Sequence, residues 1–329
     1  MAKSSPITQF DCSAPAESVI PFVLQTQVKT MCKLRSRALE WSDAEGVHAM
    51  RVCSRRLRSA MSDFRPFIRA TLPRVKLRRI ADALGAVRDL DVALIALDEL
   101  TQQAKSEAAE GIQVIAGDFR LRRNTARAKL KTTIGSAVIN EFRDEFQEGV
   151  KALRMSKQSA SKTAAPAATL RDVARQIIDE RIKEVRGAGH YLYSPFDIRE
   201  LHELRILAKR LRYAVELFSD CWQPNLRVVA KEISLLQTSL GELHDCDVWL
   251  EDLSVRLADT DRRLADSRNT CVRAGATWLI RHFAAERTAH YRAALGRWHQ
   301  WTVTDFLAKL ELAVDRDNEE SQRASAPNV

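Results

Sequence analysis

Two stretches of the chain repeat one pattern: residues 47–68 read VHAMRVCSRRLRSAMSDFRPFI, and residues 201–222 read LHELRILAKRLRYAVELFSDCW. Each follows His-x-x-Arg-x-x-x-(Arg/Lys)-Arg-Leu-Arg, and corresponding residues lie a constant 154 positions apart, from His48 and His202 onward. A duplication that maintained only a fold would need to preserve only its apolar residues. Because this one also preserves a histidine and four basic residues, it indicates a duplicated binding surface.

On an α-helix, which turns by about 100° per residue, each repeat has an apolar face and an opposite basic face. The basic faces, here called the basic stripes, comprise His48, Arg51, Arg55 and Arg58 in the first repeat and His202, Arg205, Lys209 and Arg212 in the second. Arg56 and Arg210 lie to one side of the stripes. Both repeats are therefore predicted to be amphipathic helices that bury their apolar faces in a core.

The basic stripes concentrate like charges. Basic residues three or four positions apart repel each other by a few tenths of a kcal/mol per pair, and those in a first turn oppose the helix dipole. A solvated surface would relieve this repulsion with interleaved acidic residues, and we expect neither stripe to be relieved in that way. The alternative is a basic but merely solvated face. The occurrence of two copies favours an external polyanion, since guanidinium groups can donate two hydrogen bonds to a phosphate.

Composition is consistent with a helical, polyanion-binding protein. The 329 residues include only 11 Gly and 9 Pro, too few for the many turns of a sandwich or barrel, so an all-α fold is predicted. The formal net charge of +9 and the pI near 9.4 point to nucleic acid, anionic lipid or polyphosphate as partner.

The cysteines and the hydropathy predict the compartment. Six cysteines lack any C-x-x-C pair, which favours a reducing compartment and argues against structural zinc. No apolar run approaches the ~20 residues that span a bilayer, so no membrane insertion is expected. The N-terminus lacks the apolar core of a secretory signal. The predicted location is therefore the cytoplasm.

The duplication extends over most of the chain. LGAVRDLDV at 84–92 matches LGELHDCDV at 240–248, an offset of 156, and Phe119, Arg123 and Phe142 align with Phe283, Arg287 and Phe306, each 164 positions later. We predict a disordered N-terminus at 1–15, a helical half at 16–153, a linker at 154–169, a second helical half at 170–314 and a disordered tail at 315–329. Two similar antiparallel bundles related by an approximate twofold follow from this layout.

Within the halves, periodicity predicts individual helices. Outside the repeats they are expected at about 16–40, 73–87, 90–108 and 111–153, and at about 170–187, 225–243, 247–265 and 268–314. Ser42 or Asp43 is a candidate N-cap for the first repeat. Asp91 and Asp247 would either cap a following helix or form interhelical salt bridges.

The sequence also raises an enzymatic alternative. His48 and His202, together with His244, Asp245 and Asp247, could serve a metal-dependent phosphohydrolase. However, the first half carries Arg88 at the position of His244, and arginine is not a metal ligand. P-loop, G-x-G-x-x-G, G-x-S-x-G and H-E-x-x-H motifs are missing from the sequence. We therefore expect no enzyme activity, no metal and no cofactor.

On the two His-x-x-Arg repeats and the paired LGAVRDLD and LGELHDCD segments, the chain resembles the CHAD family, the conserved histidine α-helical domain. The resemblance covers about residues 16–314 and implies two helical bundles with pseudo-twofold symmetry around a basic central groove or pore. It further implies binding of inorganic polyphosphate and association with polyphosphate granules. Many family members carry an adjoining triphosphate tunnel (CYTH) domain. With only about 15 residues before the first helix, that module is expected to be absent.

Carried over by position, the resemblance gives a set of candidate polyphosphate contacts. They are His48, Arg51, Arg55, Arg56, Arg58, His202, Arg205, Lys209, Arg210 and Arg212, with Lys33 and Arg123 as further candidates. The alternative function is a basic helical protein that binds nucleic acid. Against it, the stripes contain no aromatic side chain that could stack on single-stranded bases.

Overall fold

The computed structural model describes residues 11–67, 71–158, 168–261 and 267–325, and within these ranges the regular structure is helical apart from one isolated β-bridge. The helices of the first half are α1 (Ala16–Lys33), α2 (Arg35–Ala38), α3 (Ala44–Asp63), α4 (Arg74–Gln103), α5 (Ser106–Thr133) and α6 (Ser136–Gln158). Those of the second half are α7 (Leu170–Ala188), α8 (Ile198–Phe218), α9 (Arg227–Asp261), α10 (Ser267–Val303) and α11 (Phe306–Ser325). The predicted all-α fold is confirmed.

Local capping explains why the repeats begin as helices where they do. The Asp43 carboxylate accepts a hydrogen bond from the Glu45 amide at the start of α3, and Asp197 accepts one from Glu200 at the start of α8. Each cap satisfies an amide that has no partner within the helix. The apolar faces are then buried as predicted, with Leu57 and Leu211 fully inaccessible to solvent.

Several predicted helix boundaries are wrong. The structure has one continuous α4 where a break was expected near 88–89, and one continuous α9 where a break was expected near 244–246. Asp91 and Asp247 therefore lie inside helices and cannot be caps. Conversely, the single helices expected at 111–153 and 268–314 are each two, divided around residues 134–135 and 304–305.

The expected disorder at both ends is also wrong where the structure describes those residues. Residues 11–15 lie against the start of α7: the amides of Leu170 and Arg171 donate to the carbonyls of Ala14 and Cys12, both at 3.0 Å. At the other end α11 continues to Ser325. Residues 1–10 and 326–329, and residues 159–167 of the predicted linker, lie outside the described residues.

The N-terminal segment is also covalently attached. Cys12 forms a disulfide with Cys221, which follows α8. Cys32, Cys53, Cys246 and Cys271 are free thiols. The expectation that the cysteines all reflect a reducing compartment is therefore not met at Cys12 and Cys221, because disulfides persist in oxidising surroundings.

Helices in equivalent positions of the two halves make equivalent contacts. In the first half α3 packs on α1 and α4, and α4 packs on α5. In the second half α8 packs on α7 and α9, and α9 packs on α10. Equivalent helices also meet across the halves, as α1 with α7, α3 with α8, and α5 with α10. One large core runs through both halves, so the halves share a single hydrophobic interior.

A second, smaller core joins the far ends of α4, α5, α9 and α10. Its aromatic centre is a stack in which Trp249 lies between Phe119 and Phe283, with ring centroids 5.2 and 4.9 Å away. Here α5 and α10 cross at Gly111 and Gly275. A Cβ on Gly111 would meet the carbonyl carbon of Cys271 at 2.7 Å. Backbone therefore lies directly on backbone at this crossing.

A buried ion pair also ties the halves together. Arg181 of α7 donates from Nε and Nη2 to the Asp63 carboxylate at the end of α3, at 3.2 and 3.1 Å. The two side chains are 9% and 2% exposed. In the described part of the chain, no helix is both long and apolar enough to cross a membrane.

Candidate functional site

The two repeated helices pack directly against each other. Arg55 of α3 donates from Nε and Nη2 to the hydroxyl of Tyr213 on α8, at 3.1 and 2.6 Å. Arg56 pairs with Glu216 of α8 at 3.2 Å. Below these polar contacts, the buried rings of Phe64 and Phe218 meet edge to face, with centroids 5.8 Å apart. The packing of α3 on α8 therefore places the two basic stripes side by side.

The cations of the two stripes lie close enough to oppose each other's charge. Burial, together with the positive charges of Arg205, Arg55 and Arg58, lowers the pKa of Lys209 to about 8. Burial also lowers the pKa of Arg205, with Arg55 and Arg51 acting in the same direction. Side chains from both halves thus form one cluster of positive charge.

Acidic side chains lie around this cluster, and here the expectation of unrelieved charge is wrong. Arg51 pairs with Asp89 of α4 at 3.2 Å, and Arg58 approaches Asp82 of the same helix at 3.7 Å. Their carboxylates come from a different helix, so periodicity within the repeat could not reveal them. Asp89 and Asp82 are 69% and 61% exposed, and solvent-exposed pairs of this kind contribute ~1 kcal/mol or less.

In the second repeat, part of the compensating negative charge comes from the same helix. Arg212 pairs with Glu216 one helical turn later, at 3.4 Å, so this stripe does contain an acidic neighbour. Asp245 of α9 is the acidic neighbour of Arg205, and its charge opposes the fall that burial causes in the pKa of Arg205. Lys209 has only cations among the charges that shift its pKa. The cluster is therefore partly compensated at its edges and least compensated at Lys209.

Two glycines make room for the stripe arginines. A Cβ on Gly85 would overlap the Nη1 atom of Arg51, and a Cβ on Gly241 would lie 3.7 Å from Nε of Arg205. These glycines belong to the repeated segments LGAVRDLDV and LGELHDCDV. The segments LGAVRDLDV and LGELHDCDV therefore support the basic stripes. Their glycines leave room for the stripe arginine side chains, and their aspartates lie next to those side chains.

The stripe histidines are neutral at neutral pH. Burial lowers the pKa of His48, and the nearby positive charge of Arg88 lowers it further. Burial also lowers the pKa of His202, with Arg205 and Lys209 acting in the same direction. More acid is therefore required to charge these rings than the ordinary histidine pKa of 6.5 implies.

His202 has a partner that the repeat did not predict. Its Nδ1 lies 3.2 Å from Nδ1 of His244 on α9, and the ring centroids are 4.2 Å apart. One ring must donate this hydrogen bond and the other accept it. Among the described residues, no group of three or more His, Cys, Asp or Glu side chains is arranged to hold a metal ion.

Arg123 lies in an ion pair rather than at the centre of the cluster. It approaches the buried carboxylate of Asp91 at 3.6 Å, and Arg127 approaches the same carboxylate at 3.2 Å. In the second half, Arg287 pairs with buried Asp247 at 2.6 Å. The interhelical salt bridges expected for the two aspartates are therefore present, and they join α4 to α5 and α9 to α10.

These ion pairs also hold the loops that lead into the repeated helices. The Arg127 guanidinium lies 5.0 Å from the ring centroid of Trp41, just before α3. Arg287 donates to the carbonyl of Pro195 at 2.9 Å, just before α8. Arg127 and Arg287 therefore connect the buried aspartates to these loops. The offset of 164 that aligns Arg123 with Arg287 was the sequence signal for the equivalent ion pairs.

The remaining candidates lie at the edge of the cluster or away from it. Arg210 is exposed, and its charge acts on Asp63 at the junction of the halves. Lys33 is exposed in the last turn of α1. The structure thus brings together His48, Arg51, Arg55, Arg58, His202, Arg205 and Lys209, with Arg88 and Tyr213 as neighbours that the repeat did not single out.

Comparison with known proteins agrees with this architecture. The CHAD domain model matches residues 23–253. The chain belongs to the CHAD domain family. Its fold is similar to the crystal structure of the CHAD domain from the plant Ricinus communis, with a TM-score of 0.66 and 21% identity, covering 90% of this chain and 96% of that one. It is also similar to PptA from Streptomyces chartreusis, with a TM-score of 0.60 and 19% identity, covering 87% and 100%.

A curated relative has been found as well. An uncharacterized protein of Mycobacterium tuberculosis is 27% identical over 228 residues, which are 67% of this CHAD chain and 42% of the relative. The chain thus spans less than half the length of that relative. That relative is itself uncharacterized, so the match assigns no function.

Proposed function

We propose that this CHAD protein binds inorganic polyphosphate, without catalysis, on the cation cluster formed by α3 and α8. One observation carries the proposal: the packing of α3 on α8 brings the cations of both repeats together, so that Lys209 is partly buried beside Arg205, Arg55 and Arg58 and its pKa is lowered to about 8. A protein surface that bound nothing would have little reason to maintain this repulsion twice. A bound polyanion would remove it. The family's association with polyphosphate supports the same ligand.

The available donors suit a phosphate chain. Arg51, Arg55 and Arg205 each offer a planar guanidinium, which can donate two hydrogen bonds to phosphate oxygens. The exposed pairs of Arg51 with Asp89 and Arg58 with Asp82 are weak, so incoming phosphate oxygens can replace the carboxylates at low cost. Asp82 and Asp89 would then hold the guanidinium groups in place while the site is empty.

The proposed arrangement is a pseudo-twofold pair of half-sites around a basic groove. It is supported by the equivalent helix contacts in the two halves, by the meeting of α3 with α8, and by the convergence of both stripes. A linear ligand would cross from one half-site to the other. Longer chains should therefore bind more tightly than short ones, because they engage both half-sites at once.

The cellular role that we propose is association with polyphosphate granules. A location in the cytoplasm would have to accommodate the Cys12–Cys221 disulfide, since disulfides are rare in reducing compartments. The relative of which this chain covers 42% has further sequence that the match does not include. Activities of such larger proteins are not assigned to this chain. An absence of catalysis is tested by phosphate release from polyphosphate with divalent metal ions. We expect no release by the wild type, and metal-dependent release that is lost in Asp245→Ala would contradict a purely binding role.

Binding titrations at several salt concentrations test the proposal directly. Orthophosphate, a short polyphosphate and a long polyphosphate are compared at equal phosphate concentration. We expect affinity to rise with chain length and to fall steeply with salt, because each neutralised phosphate releases a counterion. Equal affinity for orthophosphate and long polyphosphate would refute the proposal. Displacement of long polyphosphate by duplex DNA at equal phosphate concentration would favour nucleic-acid binding instead.

A further inference from the structure

The two half-sites differ at two matched positions. Where the first half has Arg88, the second has His244, and where the first stripe has Arg55, the second has Lys209. In the first half Arg88 and Arg55 are fixed charges that act on His48. In the second half, His202 instead contacts a second imidazole. The two half-sites therefore correspond in position, but the second half-site has more side chains that can gain or lose a proton.

The geometry of the histidine pair leaves a place for one proton. With both rings neutral, one Nδ1–H donates across the 3.2 Å gap, and the other Nδ1 accepts. The donating ring then has an unprotonated Nε2, which can take up a proton from solvent. The pair would become a cation with its internal hydrogen bond intact, and both Nε2 atoms would carry N–H groups able to donate to phosphate oxygens.

The charges around the pair explain why it is neutral when the site is empty. Burial, together with the charges of Arg205, His202 and Lys209, lowers the pKa of His244 to about 4, and Arg205 and Lys209 on α8 also lower the pKa of His202. On α9, Asp245 is next in sequence to His244, and Glu242 is engaged by His290 of α10 at 3.0 Å. Asp247 is engaged by Arg287 of α10. The positively charged neighbours therefore disfavour protonation of the pair, and a bound anion would favour its protonation instead.

We infer that the second half-site is a proton-coupled phosphate site, in which the His202–His244 pair takes up a proton when phosphate oxygens bind beside it. The inference rests on the proposed function, since polyphosphate is the anion that it requires. It assigns His244 a role in affinity at acidic pH. It also makes the two half-sites unequal: the first places the fixed charge of Arg88 beside a single histidine, His48, and the second has a histidine pair whose protonation strengthens binding as pH falls.

The test exchanges the residues that differ between the halves. Long polyphosphate is titrated into wild type, His244→Arg and Arg88→His at pH 7.5 and pH 5.5. Isothermal calorimetry in buffers of different ionisation enthalpy counts the protons taken up. Long chains have few terminal groups, so titration of the ligand contributes little.

For the wild type, we expect the dissociation constant to fall by about three- to tenfold between the two pH values, with proton uptake at the lower one. His244→Arg should bind more tightly at pH 7.5 and lose most of this pH dependence. Arg88→His should bind more weakly at pH 7.5 and gain pH dependence, because it recreates the pair beside His48.

A His244→Arg variant that keeps the wild-type pH profile and proton uptake would overturn the inference while leaving the proposed function intact. A wild-type chain that does not bind long polyphosphate would overturn both. His244→Gln serves if the arginine variant does not fold: it should show reduced proton uptake at pH 5.5 and a smaller gain in affinity between pH 7.5 and pH 5.5 than the wild type. Undiminished uptake in that variant would equally refute the inference.

Discussion

The crossing of α5 and α10 at Gly111 and Gly275 predicts a sharp difference between two glycines of the same helix. A Cβ on Gly111 would overlap the carbonyl oxygen of Cys271 and lie 2.9 Å from the amide nitrogen of Gly275. These are backbone atoms and cannot rotate away. In contrast, a Cβ on Gly117, six residues later, has nothing within 4 Å.

The magnitudes follow from that geometry. Overpacking a close contact costs about 1–3 kcal/mol. Alanine is favoured over glycine inside a helix by about 1 kcal/mol. Gly111→Ala should therefore lower the free energy of unfolding by up to about 2 kcal/mol, despite the helix preference of alanine. Gly117→Ala should raise that free energy by about 0.5–1 kcal/mol. The two variants should differ by about 1–3 kcal/mol, which is the cost of the overpacking itself, although their chemical change is identical.

Urea denaturation followed by circular dichroism measures this difference. Gly275→Ala should behave like Gly111→Ala, because its Cβ would lie 2.6 Å from the amide nitrogen of Ile112. The double variant should lose less than the sum of the single losses, since one separation of α5 from α10 accommodates both methyl groups. Equal stability of Gly111→Ala and Gly117→Ala would refute the proposed backbone contact.

Three further predictions concern the junction of the halves and the cation cluster. Asp63→Asn should destabilise the protein by about 3 kcal/mol in urea denaturation, because it removes a negative charge that faces the buried Arg181 guanidinium. Glu141→Gln, which breaks an exposed pair with Lys76, should cost ~1 kcal/mol or less. Similar losses in the two variants would refute the distinction between buried and exposed pairs. Because the pKa of Lys209 is lowered to about 8, the charged side chain destabilises the ligand-free protein below that pH, and this destabilisation disappears as pH rises towards 10.5. Polyphosphate binding above pH 8 should therefore take up a proton and weaken as pH rises, less so in Lys209→Arg; an unchanged pH profile in that variant, measured by calorimetry, would contradict this role. Gly85→Ala should displace the flexible end of Arg51, weakening polyphosphate binding severalfold with a stability change of ~1 kcal/mol or less; unchanged affinity would show that the position of Arg51 is unimportant.

Short-range features of the sequence predicted the repeated helices well. Asp43 and Asp197 cap them, and the apolar positions opposite the basic stripes are buried, as periodicity required. Both features depend on residues within one or two turns of each other. The close approach of the two stripes could be anticipated only from the duplication, because packing of α3 on α8 joins residues more than 150 positions apart.

Long-range partners account for most of the errors. Asp91 resembled a cap because its real partners, Arg123 and Arg127, come from another helix. Asp82 was not recognised as a neighbour of Arg58 for the same reason. No local pattern distinguishes an aspartate that caps the start of a helix from one that forms a salt bridge between two helices.

The N-terminal segment illustrates the same limit. Residues 11–15 are short, polar and rich in small side chains, which is typical of disorder. Their hydrogen-bond partners lie at the start of α7, and Cys12 is bonded to Cys221. The order of this segment is therefore determined by residues far away in sequence.

The central claim is that the two repeats form one polyanion site. It is tested most directly by a double-mutant cycle on Arg51 and Arg205, with long polyphosphate as ligand. Arg186→Ala, which removes an arginine paired with Glu311 on α11, is the control for loss of one positive charge. Folding of each variant is checked by circular dichroism.

If the repeats act as one site, Arg51→Ala and Arg205→Ala should each weaken binding at least about tenfold, a loss of roughly 1.4 kcal/mol or more. The double variant should lose less than the sum, with a coupling of about 0.5–3 kcal/mol, and Arg186→Ala should bind nearly as well as wild type. Losses that add within error, or that do not exceed the loss in Arg186→Ala, would contradict the claim.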